Sequence, residues 1–201
     1  EIEVTNKMKY ATSGKCGDNL TWSYGSGVLT ISGTGAMYDY PVYDTPSSSQ
    51  CMPWYNYKSA ITTVNIAEGV TTIGACAFWG CSSLTSVTTP ATISTIGFGA
   101  FCDCSGLQQV TIKAGFVGES AFIRCTALRT VTVGSGVTGF GISAFENCPG
   151  LTGVYISDLA AWCRIDFGGY LSNPLYGAKR LYLNGVELTD LQIPDGVTAI
   201  S

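Results

Sequence analysis

The chain has 201 residues, of which 46% are hydrophobic and only 12% are charged, a composition typical of a folded protein and not of a disordered one. The net charge is −4 and the ten basic residues are spread along the chain, which argues against nucleic acid as a partner because such binding depends on clustered Lys and Arg. Histidine is absent and no apolar run is long enough to cross a bilayer, so we expect neither a cofactor nor membrane insertion.

Residues 1–60 predict an N-terminal β-hairpin cap and an aromatic loop. Two alternating segments, 20–24 and 28–32, flank the turn Gly25-Ser26-Gly27. A two-stranded hairpin is marginal alone, so we expect it to cover the open end of the structure that follows. The loop at 37–57 either packs its rings between the cap and the first repeat, which we favour, or stacks on a sugar or partner protein. Its rings are Tyr38, Tyr40, Tyr43, Trp54, Tyr55 and Tyr57.

Residues 61–151 contain four copies of one motif. Each copy starts with a strand pattern, continues through a second apolar pair and ends in Ala-Phe-x-x-Cys-x-x-Leu, and the Phe residues are 23, 21 and 23 positions apart. The repeated residues are Phe78, Phe101, Phe122 and Phe145, with Cys81, Cys104, Cys125 and Cys148. A period of this length predicts a β-rich repeat solenoid with short strands and turns, in which these residues form inward ladders.

Three local features follow from the repeat pattern. Glycines at the bend, Gly69, Gly115 and Gly136, suggest a positive φ there. The third copy lacks two residues after Gly115, which predicts a shortened second strand. The Ala-Phe-x-x-Cys segment is expected to be a single helical or 3₁₀ turn.

The cysteines indicate structure and not metal chemistry. The four in register are predicted to be buried thiols, since zinc requires closer ligand pairs in a tetrahedral array. Cys16 and Cys51 flank the cap, and whether they form a disulfide stays open at this point.

Residues 152–201 depart from the pattern and predict an irregular fifth repeat. A short helix is expected over 159–165, with Ser157 or Asp158 as its N-cap, followed by a hairpin around Asn184-Gly185. The strand motif then returns from Leu188 and stops within a repeat, so we expect the natural chain to continue past Ser201.

The motif Ile61-x-x-Val64-x-Ile66…Gly69-Val70-x-x-Ile73-Gly74-x-x-Ala77-Phe78-x-x-Cys81-x-x-Leu84 resembles the BspA-type leucine-rich repeat. This resemblance implies a leucine-rich-repeat fold in a secreted or cell-surface bacterial protein. It also implies contact with proteins or glycans, host molecules included, and no catalytic residues.

The outward face of the predicted strands is the candidate binding site. Alternation places small polar side chains there in two rows, which an extended protein segment or a glycan could contact. The rows contain Thr63, Asn65, Ser86, Thr88, Gln109, Thr111, Thr130, Thr132, Gly153 and Tyr155. Thr is also simply a good exposed strand residue, so the rows are compatible with a face that binds nothing.

Three functions are compatible with these observations. The first is an adhesion or interaction module that uses a concave strand face, in a chain that we expect to be monomeric. The second is a structural spacer or stalk of a larger surface protein. The third and weakest is part of a carbohydrate-active enzyme, for which Asp39/Asp44 and Asp158/Asp166 are the conceivable carboxylate pairs.

Overall fold

The chain winds into stacked coils in which each regular coil has a first strand, a second strand and a turn. The computed structural model describes residues 10–41, 51–169 and 171–190. The strands are β1 (Ser13–Lys15), β2 (Leu20–Gly25), β3 (Val28–Gly33), β4 (Gly35–Ala36), β5 (Thr63–Ile66), β6 (Val70–Ile73), β7 (Ser86–Thr88), β8 (Thr95–Ile96), β9 (Gln109–Val117), β10 (Thr130–Phe140), β11 (Gly153–Ile156), β12 (Asp166–Phe167), β13 (Leu181–Leu183) and β14 (Val186–Glu187). The helices are α1 (Leu159–Cys163) and α2 (Leu175–Ala178), and residues Tyr55–Tyr57 form a 3₁₀ turn.

The first strands form one continuous ladder, in the order β1-β2-β3-β5-β7-β9-β10-β11-β13-β14. Pairing is parallel from β3 to β13, as expected when successive coils run in the same direction. It is antiparallel at both ends, where the predicted hairpins β2–β3 and β13–β14 lie. The solenoid, its N-terminal hairpin and its second hairpin are therefore as the sequence predicts.

The second strands form a shorter ladder through β4, β6, β8, the end of β9, the end of β10 and β12. The expected shortening of the second strand after Gly115 is wrong. Instead β9 runs unbroken across the bend, and β10 takes up its extra residues in two register shifts against β9, between Val133 and Gly136 and between Val137 and Gly139. Bulges of this kind insert single residues without ending a ladder.

The bend glycines are needed mostly for close packing and not for a positive φ. Only Gly115 has one, at 90°. A Cβ on Gly69 would lie 2.7 Å from the carbonyl oxygen of Gly33, and one on Gly136 would lie 2.8 Å from the Cβ of Ala114. The neighbouring coil therefore excludes any side chain at these two positions.

The Ala-Phe-x-x-Cys segments form the third side of the coils, which we call the turn face. They are not helical or 3₁₀ turns as expected, because two residues of each turn, counted from the residue before Ala to Cys, have a left-handed conformation. The residue before Ala is one of them, and the second residue after Phe is the other: Cys76 and Gly80, Gly99 and Asp103, Ser120 and Arg124, Ser143 and Asn147. A non-glycine residue in this region costs about 1 kcal/mol or more, so the stacked neighbours must hold the turns in place.

The aromatic rings of successive coils stack through the core. Phe78, Phe101, Phe122 and Phe145 have centroids 5.0, 5.1 and 5.3 Å apart and almost parallel planes. Trp54 continues the stack into the cap, 5.8 Å from Phe78, and its indole N–H donates to the carbonyl of Ala77 at 2.8 Å.

The aromatic loop thus packs the cap onto the first coil, the interpretation favoured from the sequence. Tyr40 contacts Trp54 edge-on, and Tyr57 stacks on Tyr24 at 4.2 Å. Tyr43 lies outside the described residues.

The four repeated cysteines line the core next to this stack, and we call them the thiol ladder. Cys104, Cys125 and Cys148 each donate an S–H to the carbonyl of the Phe in the preceding coil, at 3.1, 3.2 and 3.2 Å. Burial raises the pKa of Cys81 to about 12 and that of Cys148 to about 11. Cys16 is also a buried free thiol in the described part of the chain. The disulfide between Cys16 and Cys51 that the sequence left open is therefore not formed.

The fifth unit contains two short helices: α1 lies between β11 and β12, at the bend, and α2 follows β12, where the regular turn would be. α1 begins after Asp158, whose carboxylate accepts from the N–H of Ala161 at 2.9 Å, so Asp158 and not Ser157 is the N-cap. The hairpin turn at Asn184 and Gly185 has φ values of 50° and 84°, as the Asn-Gly pair predicts.

Candidate binding surface of the stacked strands

The predicted outward residues align in two rows along the first ladder. Strand register aligns Thr63, Ser86, Gln109, Thr130 and Gly153 as row 1. It also aligns Thr88, Thr111, Thr132 and Tyr155 as row 2, and Asn65 stands two residues after Thr63 on the same face of β5. Parallel pairing places successive members about 4.8 Å apart.

The rows are accessible over most of their length. Most of the side chains are exposed, whereas Thr111, Thr130 and Tyr155 are half-buried. Gly153 is buried because two rings cover it: a Cβ there would lie 3.1 Å from both Tyr155 and Tyr182. Gly153 therefore contributes backbone and no side chain to the surface.

Sequence reasoning missed two members of row 2. Thr30 pairs with Asn65 at the cap, and Tyr182 pairs with Tyr155 at the other end. The rings of Tyr155 and Tyr182 are 4.6 Å apart and 8° from parallel, so row 2 ends in a stacked aromatic pair. The alternation of Val28–Gly33 and of Leu181–Leu183 could have identified both residues, had the hairpin strands been aligned with the repeats.

A shallow depression of about 340 Å³ lies on the rows themselves: its lining includes Thr63, Asn65, Ser86 and Thr88, and also Lys113 of β9. At its edge Lys113 and Glu68 form an exposed ion pair at 3.4 Å, an arrangement that contributes about 1 kcal/mol at most. Its floor includes Thr89, which takes the place of the usual apolar residue, is fully buried and accepts a hydrogen bond from the N–H of Lys113 at 3.1 Å. Thr89 therefore fits the interior position that an apolar residue fills in the other coils, and the coil stays regular.

The chemistry that this surface offers is hydrogen bonding by hydroxyl and amide groups. Row 1 and row 2 contain no carboxylate, amine or thiol, so nothing in them is suited to proton transfer near neutral pH. The acids considered for catalysis have structural contacts: Asp39 accepts from the N–H of Ala75 at 2.7 Å, and Asp158 caps α1. Asp166 is exposed in β12, and Asp44 lies outside the described residues.

Metal ligands and membrane spans were the remaining possibilities. Within residues 10–41, 51–169 and 171–190, no three residues of the types His, Cys, Asp and Glu come together as a metal site would require. In the same part of the chain, no helix has the length and apolar character needed to cross a membrane.

Solved structures of bacterial leucine-rich repeat proteins are similar to this chain. A leucine-rich repeat protein from Eubacterium ventriosum superposes with a TM-score of 0.57 and 27% identity, over 73% of this chain and 44% of that one. This chain therefore spans less than half of the length of that relative. A leucine-rich cell surface protein from Faecalibacterium prausnitzii (TM-score 0.42, 23% identity, 79% and 51% coverage) and the leucine-rich repeat protein of T. pallidum (0.47, 17%, 75% and 79%) are weaker matches, on which we base no conclusion.

No curated protein matches the chain significantly. The model of the BspA type leucine-rich repeat region, in contrast, matches residues 53–162 in six copies. The matched segment contains the whole stack from Trp54 to Phe145 and most of both rows. With more than half of its length matched, the chain belongs to the BspA-type leucine-rich repeat family.

Proposed function

We propose that the chain is a non-catalytic binding module of a secreted or cell-surface bacterial protein, and that row 1 and row 2 contact a protein or a glycan. The observation that supports this most is the continuous register of row 1 from β5 to β11 and of row 2 from β7 to β11. Proteins built from leucine-rich repeats are in general interaction modules and in general not enzymes, which is consistent with this proposal.

Binding would depend on the regular spacing of the polar groups in row 1 and row 2. Hydroxyl and amide groups recur about every 4.8 Å, so a partner with a similar repeat can form several weak hydrogen bonds at once. β-Branched Thr has few rotamers to lose on binding, which reduces the entropic cost of each contact. The stacked pair Tyr155 and Tyr182 adds a large apolar area with polar tips at one end of the array.

The test is a charge placed at the centre of the array. Thr111 lies between Thr88 and Thr132, so Thr111→Arg projects a long cation over both neighbours without entering the core. The matched control is Thr138→Arg, which makes the same change at an exposed residue near the end of β10, on the second ladder. Both variants should keep the wild-type unfolding midpoint in urea.

Binding is measured on arrays of host matrix proteins, mucins and glycans, with thiols kept reduced. A saturable partner that Thr111→Arg removes and Thr138→Arg retains would support the proposal. Binding that tolerates Thr111→Arg would place the contact elsewhere on the molecule.

A spacer or stalk role is the second candidate, and the composition of the rows favours it. Thr is the commonest residue in both rows, and it is a good exposed strand residue without any ligand. No partner on the arrays, together with unchanged adhesion of cells that display Thr111→Arg in the full-length protein, would support this second role.

A further inference from the structure

The depression on row 1 and row 2 lies where the sheet opens between β5 and β7. These two strands share one residue pair, Thr63 with Ser86, whereas β7 and β9 share three. β7 ends at Thr88, two residues before Pro90, which has no N–H with which to continue the ladder. The depression of about 340 Å³ is at the lower end of the range for small-ligand sites, about 300–1,000 Å³. It therefore has room for a short part of a ligand and not for a folded element of a partner.

Three successive coils hold the charged wall of this depression. The ammonium of Lys113 in the third coil reaches the Oε1 atom of Glu68 in the first coil, at 3.4 Å. The Oε2 atom of Glu68 accepts from the N–H of Ala91 in the second coil at 3.1 Å. Two contacts thus fix the carboxylate, while the side chains of Lys113 and Glu68 remain 43% and 65% exposed. An ammonium has three N–H donors and each carboxylate oxygen has two lone pairs, so both groups keep capacity for a ligand.

Every exposed side chain in the lining is polar. These side chains carry three hydroxyls, one amide, one carboxylate and one ammonium: Thr63, Ser86, Thr88, Asn65, Glu68 and Lys113. The apolar members Val64 and Pro90 are buried, and Ile66 is half-buried. Among the described residues that line the depression there is no aromatic one. A protein partner therefore finds no apolar pocket for the aromatic anchors that dominate protein interfaces.

The charge of the lining selects against ionic ligands. Glu68 and Lys113 carry the only charges in the lining, and the two cancel. A ligand with a net charge of either sign consequently gains little attraction here. The lining offers donors and acceptors side by side, and a hydroxyl group can use both because it donates one hydrogen bond and accepts others. A neutral molecule with several neighbouring hydroxyls matches this lining best.

We propose that this depression binds a sugar residue of a neutral glycan, with neighbouring hydroxyls bridging Lys113 and Glu68. The ammonium donates to one sugar oxygen, and a second sugar hydroxyl donates to the carboxylate. Asn65, Ser86 and Thr88 contact the rest of the sugar, and the glycan continues along row 2. This inference rests on the proposed function, since it names the ligand class for the same face of the molecule.

The probes are four neutral oligosaccharides, namely maltohexaose, cellohexaose, mannohexaose and chitohexaose, titrated into the isotope-labelled full chain. We expect saturable amide NMR shifts at Asn65, Ser86 and Thr88 with at least one of them, and unchanged signals at Phe98 on another side of the coil. Hydrogen bonds to exposed groups give little net free energy, so we expect dissociation constants in about the millimolar range. A sulfated heparin hexasaccharide should cause no shifts at these positions, because the lining is neutral.

Two conservative variants test the bridging pair. Lys113→Met and Glu68→Gln should each weaken sugar binding by roughly tenfold, since each removes a hydrogen bond to a charged group. Both should keep the wild-type unfolding midpoint in urea, because an exposed ion pair contributes little to stability. The matched control is Glu119→Gln, the same change at an exposed acid outside the depression, which should bind the sugar as wild type does.

A charge reversal tests the choice of a neutral ligand. Glu68→Lys gives the lining two positive charges, so this variant should bind the heparin hexasaccharide and lose affinity for the neutral sugar. Heparin binding that is tighter than neutral-sugar binding in the wild-type chain would overturn the proposal.

Two further results would overturn it. One is the absence of saturable shifts with all four neutral oligosaccharides, and the other is sugar binding that neither Lys113→Met nor Glu68→Gln weakens. In either case a protein partner that Thr111→Arg removes would still support row 1 and row 2 as the binding face, with a different class of ligand. The failure of this inference is thus distinguishable from the failure of the proposed function.

Discussion

Phe122→Ala is the most direct test of the stacked core, because Phe122 is fully buried and contacts a ring on each side. A buried Phe→Ala change costs about 3–5 kcal/mol of unfolding free energy, and each lost ring pair adds about 0.5–1.5 kcal/mol within that total. With two pairs lost we expect about 4–5 kcal/mol, near the upper end. Equilibrium unfolding in urea, followed by the fluorescence of the four Trp residues, measures this loss.

The same variant should loosen both neighbouring coils. The N–H of Phe101 donates to the carbonyl of Ala121, next to the new cavity, so its hydrogen exchange should accelerate more than that of Trp22 in the cap. Phe98→Ala is the control, since Phe98 is 46% exposed and should lose less than about 1 kcal/mol. A loss below that value for Phe122→Ala would refute the stacking argument.

Three further changes test the packing between coils. Gly106→Ala should cost about 1–3 kcal/mol, because its Cβ would lie 2.3 Å from the carbonyl oxygen of Ser82, whereas Gly25→Ala, with no atom within 4 Å, should be nearly neutral in urea unfolding. Thr89→Val removes the acceptor for a backbone N–H and should lower stability by about 1 kcal/mol in thermal melts. Alkaline pH should destabilise the fold: the pKa of Cys81 is raised from 9.0 to about 12, so the unfolded chain ionises first and the free energy of unfolding falls progressively from about pH 9 to 12. A flat pH profile in this range would contradict the burial of the thiol ladder.

The repeat allowed most of the fold to be predicted because one alternation pattern recurs in every coil. A residue such as Val110 must face inward if Val87 and Val131 do, and register then places Thr111 outward without further information. The same reasoning identified the thiol ladder and the order of the rings. The repeat period therefore allows contacts between residues far apart in the sequence to be predicted, which the alternation pattern of a single strand does not.

The features that sequence reasoning missed depend on contacts that recur less regularly. The left-handed conformation of Arg124 is held by hydrogen bonds to the next coil and is not indicated by its own propensity, although Gly80, Asp103 and Asn147 at the equivalent position are residue types that adopt it. Trp54 was not recognised as a member of the ring stack because its coil lacks the surrounding motif. The placement of α1 and α2 in the fifth unit depends on a segment that no other coil repeats.

The hydrogen bonds between turns have a consequence for how such molecules can assemble. From Trp54 onward, each of these bonds along the ring stack runs from a donor in one coil to an acceptor in the following coil. The stack of turns therefore has a direction along the solenoid axis: its carbonyl acceptors face the N-terminal cap, and its N–H donors face the fifth unit. At the cap end the first of these acceptors, the carbonyl of Ala77, is already bound by the indole N–H of Trp54, so another segment could extend this row of bonds only at the opposite end, and only by supplying carbonyl acceptors.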